Sequence, residues 1–593
     1  MNIFDERIQA LQAQMRADNI KAYIVPATDP HLSEAYAPRF GAMRFYFCAF
    51  GGEDGTLLVT QDNSYIYTDG RYWVEAEMEL KGTSCKLVKS GKPGVPSMAS
   101  FIKENNLYPL GLDASLFSLK ELRKYYLDSD HKIVSLDYSF LVKNMPSYPS
   151  DPIFAIDQKY LSLTYKERVD SMVKAIKGNG AKALLLTALD DIAYVLGYRG
   201  NDIYCTPVFY SWLYITEEGY LDLFIDSNKL PKDFNLPNLT IHAYDSLLAF
   251  IDERKDIPTL IDPSKTNALI CSHLNNRIYA SSPAYVEKSI KGPVEIENLR
   301  RINTIDGLAV LKLMKYVDDH IDSGFLNEES LVEYVDSVRL ANPECFELSF
   351  GTIAAVDSNA AMMHYAPTKD KFSPVNRTNQ LLLVDSGGQY YGGTTDITRT
   401  FILSKNPSKE VIHDYTLTLK SQIALTTSIF EKGATGHSID ITAREVMWKE
   451  GLDYKCGTGH GVGYISCVHE GPVGFRFYDS PDRDDRAELS LGNVITIEPG
   501  VYKDYKYGIR LENDLLVVPC NTTDQGIFYK FEVLTLCPYD RRGIDVSMLS
   551  EEEISWFNDY SALVFEKLSP LAKDDPELLA YLKKNTEPLS RNE

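Results

Sequence analysis

The first half of the chain repeats one arrangement of a helix followed by a strand, and this repeat limits the possible folds more than any other feature. In the first copy, a helical pattern that opens at Glu6 leads into the apolar run 20–25. In the second copy, a helical pattern that opens at Glu167 leads into the apolar run 180–186. An amphipathic helix beside a short apolar strand is typical of an α/β layer. The repeat therefore predicts two related α/β domains produced by duplication.

Two junctions divide the chain of 593 residues, which is too long for one hydrophobic core. Prolines crowd the segment 145–152, and a second break lies near 292–294. After that break, apolar residues recur at helical spacing from Leu299 to Leu311. We therefore predict domains at 1–150, 151–293 and 294–593, the last ending in helices.

The charge and the cysteines restrict the partners and the compartment. The formal net charge of −22 disfavours nucleic acid and anionic membranes as partners. No apolar run approaches the roughly 20 residues that span a bilayer, and the N-terminus has no secretory pattern. The nine cysteines are scattered, odd in number and without a CxxC pair, which suits a reducing compartment. These features predict a cytoplasmic protein.

Two aspartates stand at the ends of neighbouring strand-like segments in the second half. The apolar run 381–384 ends at Asp385, and Asp396 belongs to the polar, β-prone segment 394–401. A hairpin through the intervening glycines would bring Asp385 and Asp396 together. Two close carboxylates repel each other unless a cation lies between them. A divalent metal would resolve that conflict.

Three further residues extend this acidic set. Glu498 follows the apolar run 494–497, Glu512 opens another strand, and His460 is surrounded by glycines in the segment 457–463. Each acidic residue taken alone is explained as well by a solvated strand end or a salt bridge. Glycines allow a ligand to approach the backbone closely, which makes His460 a candidate ligand.

Asp385, Asp396, His460, Glu498 and Glu512 resemble the metal-binding set of the pita-bread metallopeptidases. Their order matches, as do the gaps of eleven between the aspartates and fourteen between the glutamates. The contexts Gly-Thr-Gly-His-Gly-Val-Gly, Glu-Pro-Gly and Gly-Ile-Arg-Leu-Glu-Asn also match. The whole chain is similar to the three-domain, cytosolic Xaa-Pro aminopeptidases. That resemblance implies two creatinase-like N-terminal α/β domains before a pita-bread catalytic domain, and a homodimer.

The resemblance also implies the chemistry. Two divalent metal ions per subunit would be bound, with manganese favoured for an oxygen-rich set and zinc or cobalt as alternatives. Asp385 would hold one ion, His460 and Glu498 the other, and Asp396 and Glu512 would bridge them. A hydroxide shared by the metals would attack the peptide bond between the N-terminal residue and a following proline. Glu498 would also carry the proton.

Four other residues match positions around the substrate in this family. His364 and His469 would steady the substrate carbonyl or line the proline pocket. Tyr502 and Arg510 would flank the proline ring. One departure is Cys456, which stands where several relatives have a histidine. The role that relatives assign to that position is therefore not carried over to Cys456.

Two kinds of alternative stay open at this point. Prolidase, a dipeptidase of the same fold, must hold the C-terminal carboxylate of its substrate, and Arg510 alone does not decide this. Pita-bread domains also occur as binding modules that lack catalysis and have lost the metal ligands, whereas here all five are present. Creatinase, a metal-free relative, is disfavoured for the same reason.

Overall fold

The computed structural model describes residues 2–126, 132–478 and 486–591, and these residues form two compact units. The first unit comprises residues up to 156 together with 163–287. The second comprises 157–162 together with the residues from 288 onward.

The first unit contains two six-stranded sheets. The strands and helices of the first sheet region are β1 (Ala22–Val25), β2 (Thr56–Thr60), β3 (Ser64–Thr68), β4 (Lys86–Lys89), β5 (Leu110–Leu112) and β6 (Ile133–Ser135), with α1 (Ile3–Ala17), α2 (Pro38–Phe47), α3 (Trp73–Glu79), α4 (Met98–Glu104) and α5 (Leu119–Leu122). The strand order is β4-β3-β2-β1-β5-β6.

The second sheet region repeats this plan. Its elements are β7 (Phe154–Ala155), β8 (Ala183–Leu186), β9 (Tyr198–Arg199), β10 (Trp212–Thr216), β11 (Leu221–Phe224), β12 (Leu239–His242), β13 (Thr259–Ile261) and β14 (Arg277–Tyr279), with α6 (Tyr165–Gly178), α7 (Leu189–Leu196), α8 (Leu247–Asp252), α9 (Ala268–Ser272) and α10 (Pro283–Ser289). The order β12-β11-β10-β8-β13-β14 places parallel and antiparallel pairs at the same positions as in the first sheet. This agreement supports the duplication inferred from the sequence.

Local sequence explains how each copy begins. In α6 the Thr164 hydroxyl accepts the Glu167 N–H at 3.3 Å, and the Glu167 carboxylate accepts the Thr164 N–H at 2.8 Å. This capping box satisfies two N–H groups that the helix leaves open. The strand that follows, β8, is buried along its whole length, as its continuous apolar run predicts.

The second unit combines long helices with several small sheets. Its helices are α11 (Pro293–His320), α12 (Glu328–Leu340), α13 (Lys409–Thr426), α14 (Gly436–Ile439), α15 (Ile441–Trp448), α16 (Glu551–Ala572) and α17 (Pro576–Asn585). Its strands are β15 (Cys345–Leu348), β16 (Ile353–Val356), β17 (Leu381–Ser386), β18 (Gly388–Tyr390), β19 (Gly393–Thr394), β20 (Ile397–Ile402), β21 (Ile429–Glu431), β22 (Gly459–His460), β23 (Gly474–Phe475), β24 (Val494–Ile497), β25 (Gly500–Lys503), β26 (Tyr507–Arg510), β27 (Asn513–Thr522) and β28 (Ile527–Val533).

Two of these sheets carry the candidate site, and each has a helical partner. The sheet β16-β17-β20 shares a core with α11 and α12, where Leu313 and Leu331 meet Leu382. In the sheet β21-β28-β27-β24, Ile495 and Leu515 pack into a second core with Leu425 of α13. Because apolar faces anchor the strands, their polar ends are fixed in place.

In the ranges that the structure describes, no helix is both long and apolar enough to cross a membrane.

Candidate metal centre

Asp385 and Asp396 are brought together by antiparallel pairing of β17 and β20. Asp385 lies opposite Thr398, and Asp396 stands immediately before β20. The connection runs through the short strands β18 and β19, so the structure forms the hairpin that the sequence predicts. Both aspartates are buried.

Glu498 and Glu512 lie at one end of a second strand pair. Ile497 of β24 pairs with Asn513 of β27, so the glutamates just outside these positions are neighbours. The Glu512 N–H donates to the Thr398 carbonyl at 3.1 Å, and the Thr398 hydroxyl donates to Glu512 Oε2 at 2.6 Å. These two bonds join the pair that carries the glutamates to the pair that carries the aspartates.

His460 reaches the same place from β22. Its N–H donates to the Thr496 hydroxyl at 3.1 Å, and a Cβ on Gly459 would lie 1.9 Å from the Thr496 carbonyl oxygen. Only glycine at 459 therefore lets β22 lie so close to β24.

The hydrogen bonding of His460 decides which ring nitrogen is available. Nδ1 lies 3.0 Å from the Gly461 carbonyl, which can only accept, so Nδ1 carries the proton. Nε2 then presents a lone pair. It lies 3.5 Å from Asp396 Oδ2 and 3.6 Å from Glu498 Oε1. A metal-binding histidine usually has this arrangement, with its second nitrogen bonded to a carbonyl or carboxylate.

The electrostatics of the site favour an added cation. Burial, followed by the charges of neighbouring carboxylates, raises the pKa of Asp396 and of Glu512 well above their usual range. Among the described residues, Asp385 Oδ1 and Asp396 Oδ1 are buried without a hydrogen-bond partner. Ligand atoms of Asp396, His460 and Glu512 lie within 4.8 Å of one another. Oxygen-rich donors with one imidazole fit divalent metal ions.

Arg510 has a contact that the sequence analysis did not foresee. Its guanidinium forms an ion pair with Asp385 and also donates to the Thr398 hydroxyl at 3.1 Å and to the Tyr502 hydroxyl at 2.8 Å. Arg510 therefore orients one candidate ligand and one candidate pocket residue together. The sequence signal was only that Arg510 precedes Glu512 by two residues, which would place both on the same side of a strand.

A further buried acid, Asp514, was also missed. It accepts the Asp396 N–H at 3.3 Å and is fully buried, and burial raises its pKa. Its position two residues after Glu512 was the only sequence signal.

The two histidines predicted to contact substrate lie in irregular segments. His364 is half-buried in a turn that follows the 3-10 helix Asp357–Ala361. That helix packs against Gly508 of β26, where a Cβ would lie 1.8 Å from the Ala360 carbonyl oxygen. His469 is exposed, and its ring centroid lies 4.3 Å from that of His460.

Cys456 packs with apolar side chains that include Val501 and Tyr502. It is half-buried. The position therefore contributes to the wall next to Tyr502, where an imidazole would be bulkier and more polar.

A buried set of carboxylates with one imidazole fits the metal site of a metallopeptidase, and the chain belongs to metallopeptidase family M24. Residues 297–519 match that family, and residues 527–589 match the C-terminal region of the family. Residues 7–139 and 144–295 each match a creatinase/prolidase N-terminal domain.

Relatives of similar length narrow this class to the Xaa-Pro aminopeptidases. The chain is 33% identical over 609 residues to the probable Xaa-Pro aminopeptidase P of Laccaria bicolor, covering 98% of this chain and 93% of the relative. It is 32% identical to Xaa-Pro aminopeptidase 1 of Dictyostelium discoideum, covering 98% and 96%. The crystal structure of X-prolyl aminopeptidase from Caenorhabditis elegans, described as a cytosolic enzyme with a di-nuclear active site, is 29% identical with a TM-score of 0.92, covering 99% of each chain.

These likenesses confirm three predictions from the sequence. They are the Xaa-Pro aminopeptidase family, the metallopeptidase class of enzyme, and the architecture of creatinase-like domains followed by a pita-bread domain.

Proposed function

We propose that the chain removes the N-terminal residue from peptides whose second residue is proline, using two divalent metal ions. The observation that carries this proposal is the convergence of four carboxylates and the Nε2 lone pair of His460, with two carboxylate oxygens left without a partner among the described residues. The Xaa-Pro aminopeptidases of similar length support the choice of substrate.

The five candidate ligands would bind the two metal ions as follows. Asp385 would hold one ion, His460 and Glu498 the other, and Asp396 and Glu512 both. Oxygen ligands outnumber nitrogen, so manganese remains our proposal for the metal, before zinc or cobalt. When bound, the ions would polarise the scissile carbonyl and lower the pKa of water, and so supply the shared hydroxide nucleophile that the family resemblance implies.

Glu498 is suited to proton transfer. Its side chain is 21% exposed, compared with 6% for that of Asp396, so it is the more accessible to substrate. Its carboxylate would take a proton from the attacking water and deliver it to the proline nitrogen as the peptide bond breaks. A carboxylate that transfers a proton in this way raises the reaction rate by about 10²–10⁴-fold.

His469 and His364 would steady the substrate carbonyl or line the proline pocket. His469 is exposed beside His460, so a nitrogen of its ring can donate to the carbonyl oxygen as negative charge develops there. His364 sits in a turn fixed by the packing of the preceding helix on β26, and we assign it to the same task or to the proline pocket.

Tyr502 and Arg510 would form one wall of the proline pocket. Arg510 donates to the Tyr502 hydroxyl at 2.8 Å, which holds the flat ring in place. A flat apolar surface suits proline, because its amide nitrogen has no hydrogen to donate.

Cleavage after controlled metal loading tests the proposal. The protein would be stripped by chelation, reloaded with Mn²⁺, Zn²⁺ or Co²⁺, analysed for bound metal, and assayed on an Xaa-Pro-Yaa tripeptide. We expect two ions per chain and cleavage that disappears on chelation and returns on reloading.

An assay on the matching Xaa-Pro dipeptide distinguishes the proposed aminopeptidase from the alternatives. Activity on Xaa-Pro alone, with none on Xaa-Pro-Yaa, would contradict the proposal and favour a prolidase. Full metal loading without cleavage of either peptide would favour a binding module.

A further inference from the structure

Three buried charged side chains meet close to the candidate metal centre and have no part in the proposed chemistry. Lys291 Nζ lies 2.6 Å from Glu470 Oε1, and Lys288 Nζ lies 3.0 Å from Glu470 Oε2. The three side chains are at most 4% exposed. We call Lys288, Lys291 and Glu470 the lysine clamp.

The clamp fixes the residue next to His469. Glu470 is buried, whereas its neighbour His469 is exposed. The Glu470 N–H donates to the Gly461 carbonyl at 2.7 Å, and the Gly461 N–H donates to the Val473 carbonyl at 3.0 Å. The segment after His469 is thereby tied to the residue after His460.

Glycine makes this approach of two backbones feasible. A Cβ at Gly461 would lie 2.0 Å from the Glu470 carbonyl oxygen. The distance leaves no slack between the two segments. A shift of Glu470 is therefore transmitted to the position of His469 beside His460.

The lysines are themselves anchored to the strand that leads to Glu498. The Lys291 N–H donates to the Gly492 carbonyl at 2.9 Å, and the Asn493 side chain donates to the Ser289 carbonyl at 2.9 Å. Gly492 and Asn493 immediately precede β24. The clamp thus connects the segment of His469 with the base of the strand that delivers Glu498.

We propose that Lys288 and Lys291 are positioning residues that act through Glu470 to hold His469 beside His460 in the geometry that the reaction needs. This inference rests on the role given to His469 in the proposed function. Each carboxylate oxygen of Glu470 forms an ion pair with one lysine ammonium group, so both oxygens have a partner in the buried site. Loss of one lysine leaves Glu470 half-paired, and the segment moves to regain solvent or another donor.

Hydrogen exchange tests the structural half of the inference without any use of activity. Lys291→Met removes one charge at similar volume, and Lys229→Met is the matched control because Lys229 is also a buried lysine, paired with buried Asp202 in the first unit. We expect peptides covering 461–473 to exchange about tenfold faster in Lys291→Met. The control should leave their exchange unchanged, although it too loses a buried ion pair. Equal exchange in Lys291→Met and the parent protein would overturn the inference.

A double-mutant cycle tests the functional half. In the parent background we expect Lys291→Met to lower kcat/KM by about 10- to 100-fold, and in a His469→Ala background by less than about threefold, because the residue acts through His469. Lys229→Met should change kcat/KM of the folded protein by less than about twofold in either background. The same fold loss in both backgrounds would overturn the inference.

The two arms separate this inference from the proposed function. If the metal-loaded parent cleaves no Xaa-Pro-Yaa peptide, the proposed function fails, and exchange alone still decides whether the clamp holds the segment. If the parent is active and His469→Ala is equally active, the inference falls with the role of His469, while the peptidase activity stands.

Discussion

The four acidic candidate ligands differ in their hydrogen bonds, ion pairs and exposure to solvent. Asp385 is paired with Arg510, and Glu512 receives the Thr398 hydroxyl. Asp396 Oδ1 receives no hydrogen bond from the described residues, and Glu498 is the more exposed of the four. Asp396 therefore carries the least compensated charge, and Glu498 has the carboxylate most accessible to solvent.

Replacement of Asp396 by Asn should have opposite effects on the metal-free and the metal-loaded protein. Removal of an uncompensated buried charge should stabilise the metal-free protein by about 1–3 kcal/mol. Loss of a bridging ligand should abolish the stabilisation by added Mn²⁺ and lower kcat/KM by roughly 10³-fold. Thermal scans with and without metal, together with peptide kinetics, measure both.

Asp202→Asn is the control for the Asp396 variant. Asp202 is buried but paired with Lys229, so its replacement should destabilise the protein. A less stable Asp396→Asn protein that still binds Mn²⁺ normally would contradict our assignment of Asp396.

Replacement of Glu498 by Gln keeps the shape of the side chain and removes its ability to take a proton. We expect an unchanged fold, weakened binding of one ion, and kcat lower by about 10²–10⁴-fold at saturating metal. Circular dichroism and peptide kinetics check this. A variant with the parent rate would remove Glu498 from both of its roles.

The sequence selected the five candidate ligands because their order, spacing and local contexts match the metal-binding set of the pita-bread metallopeptidases. It did not predict the contacts of Arg510 with Asp385 or of Glu470 with the two lysines. Asp385 and Arg510 are in contact because β17 and β26, which belong to different sheets, lie next to each other. The spacing of residues along the sequence gives no indication of such contacts.

At the scale of elements, the site depends on strands that approach more closely than side chains allow. Gly459→Ala would place a Cβ 1.9 Å from the Thr496 carbonyl oxygen and push β22 away from β24. We expect His460 to move out of reach, with metal affinity and kcat/KM lower by at least about tenfold. Calorimetric titration with Mn²⁺ measures the affinity.

Gly351→Ala is the matched control for the Gly459 variant. A Cβ at Gly351 meets nothing within 4 Å, and the position is exposed. It should bind Mn²⁺ like the parent. Parent-like metal binding by Gly459→Ala would show that the close approach of β22 to β24 is not required.

The first unit contains a buried histidine whose surroundings predict a pH-dependent stability. His31 Nδ1 donates to the Thr187 carbonyl at 2.7 Å, Nε2 accepts from the Tyr244 hydroxyl at 2.8 Å, and the ring stacks on Trp212. Burial, with the nearby charge of Lys229 as a smaller cause, lowers the pKa of His31 to about 3. The folded protein therefore keeps His31 neutral at pH values where the unfolded chain takes up a proton.

Stability should consequently fall as the pH drops below the unfolded pKa of about 6.5. Between pH 7.5 and 5.5 the loss due to His31 should be about 1.4 kcal/mol. Asp29, whose pKa is raised by burial, acts in the opposite direction, so the comparison needs His31→Gln as the reference. Urea unfolding followed by tryptophan fluorescence at both pH values measures the difference. The same pH dependence in the variant and the parent would contradict this account.

At the scale of elements, the predictions from the sequence were most successful where the local sequence of a segment determines its structure. The duplicated sheets and the hairpin that carries Asp385 and Asp396 are present in the structure. The pairing of β24 with β27, which makes Glu498 and Glu512 neighbours, was not predicted. It joins segments separated by two other strands, and their order in a sheet is set by packing.

At the scale of the whole molecule, the family likeness covers nearly the entire chain, including both creatinase-like regions. The net charge of −22 accords with substrates that carry a positive N-terminus. Homodimer formation stays a prediction that rests on the resemblance, and a cytoplasmic location stays a prediction that rests on the cysteines and on the sequence patterns described above.

Anomalous diffraction from crystals grown with Mn²⁺ tests the central claim most directly. Our account predicts two manganese peaks per chain, both within bonding distance of Asp396 and Glu512, one also next to Asp385 and the other next to His460 Nε2 and Glu498. The absence of any peak among these side chains at saturating Mn²⁺ would contradict it.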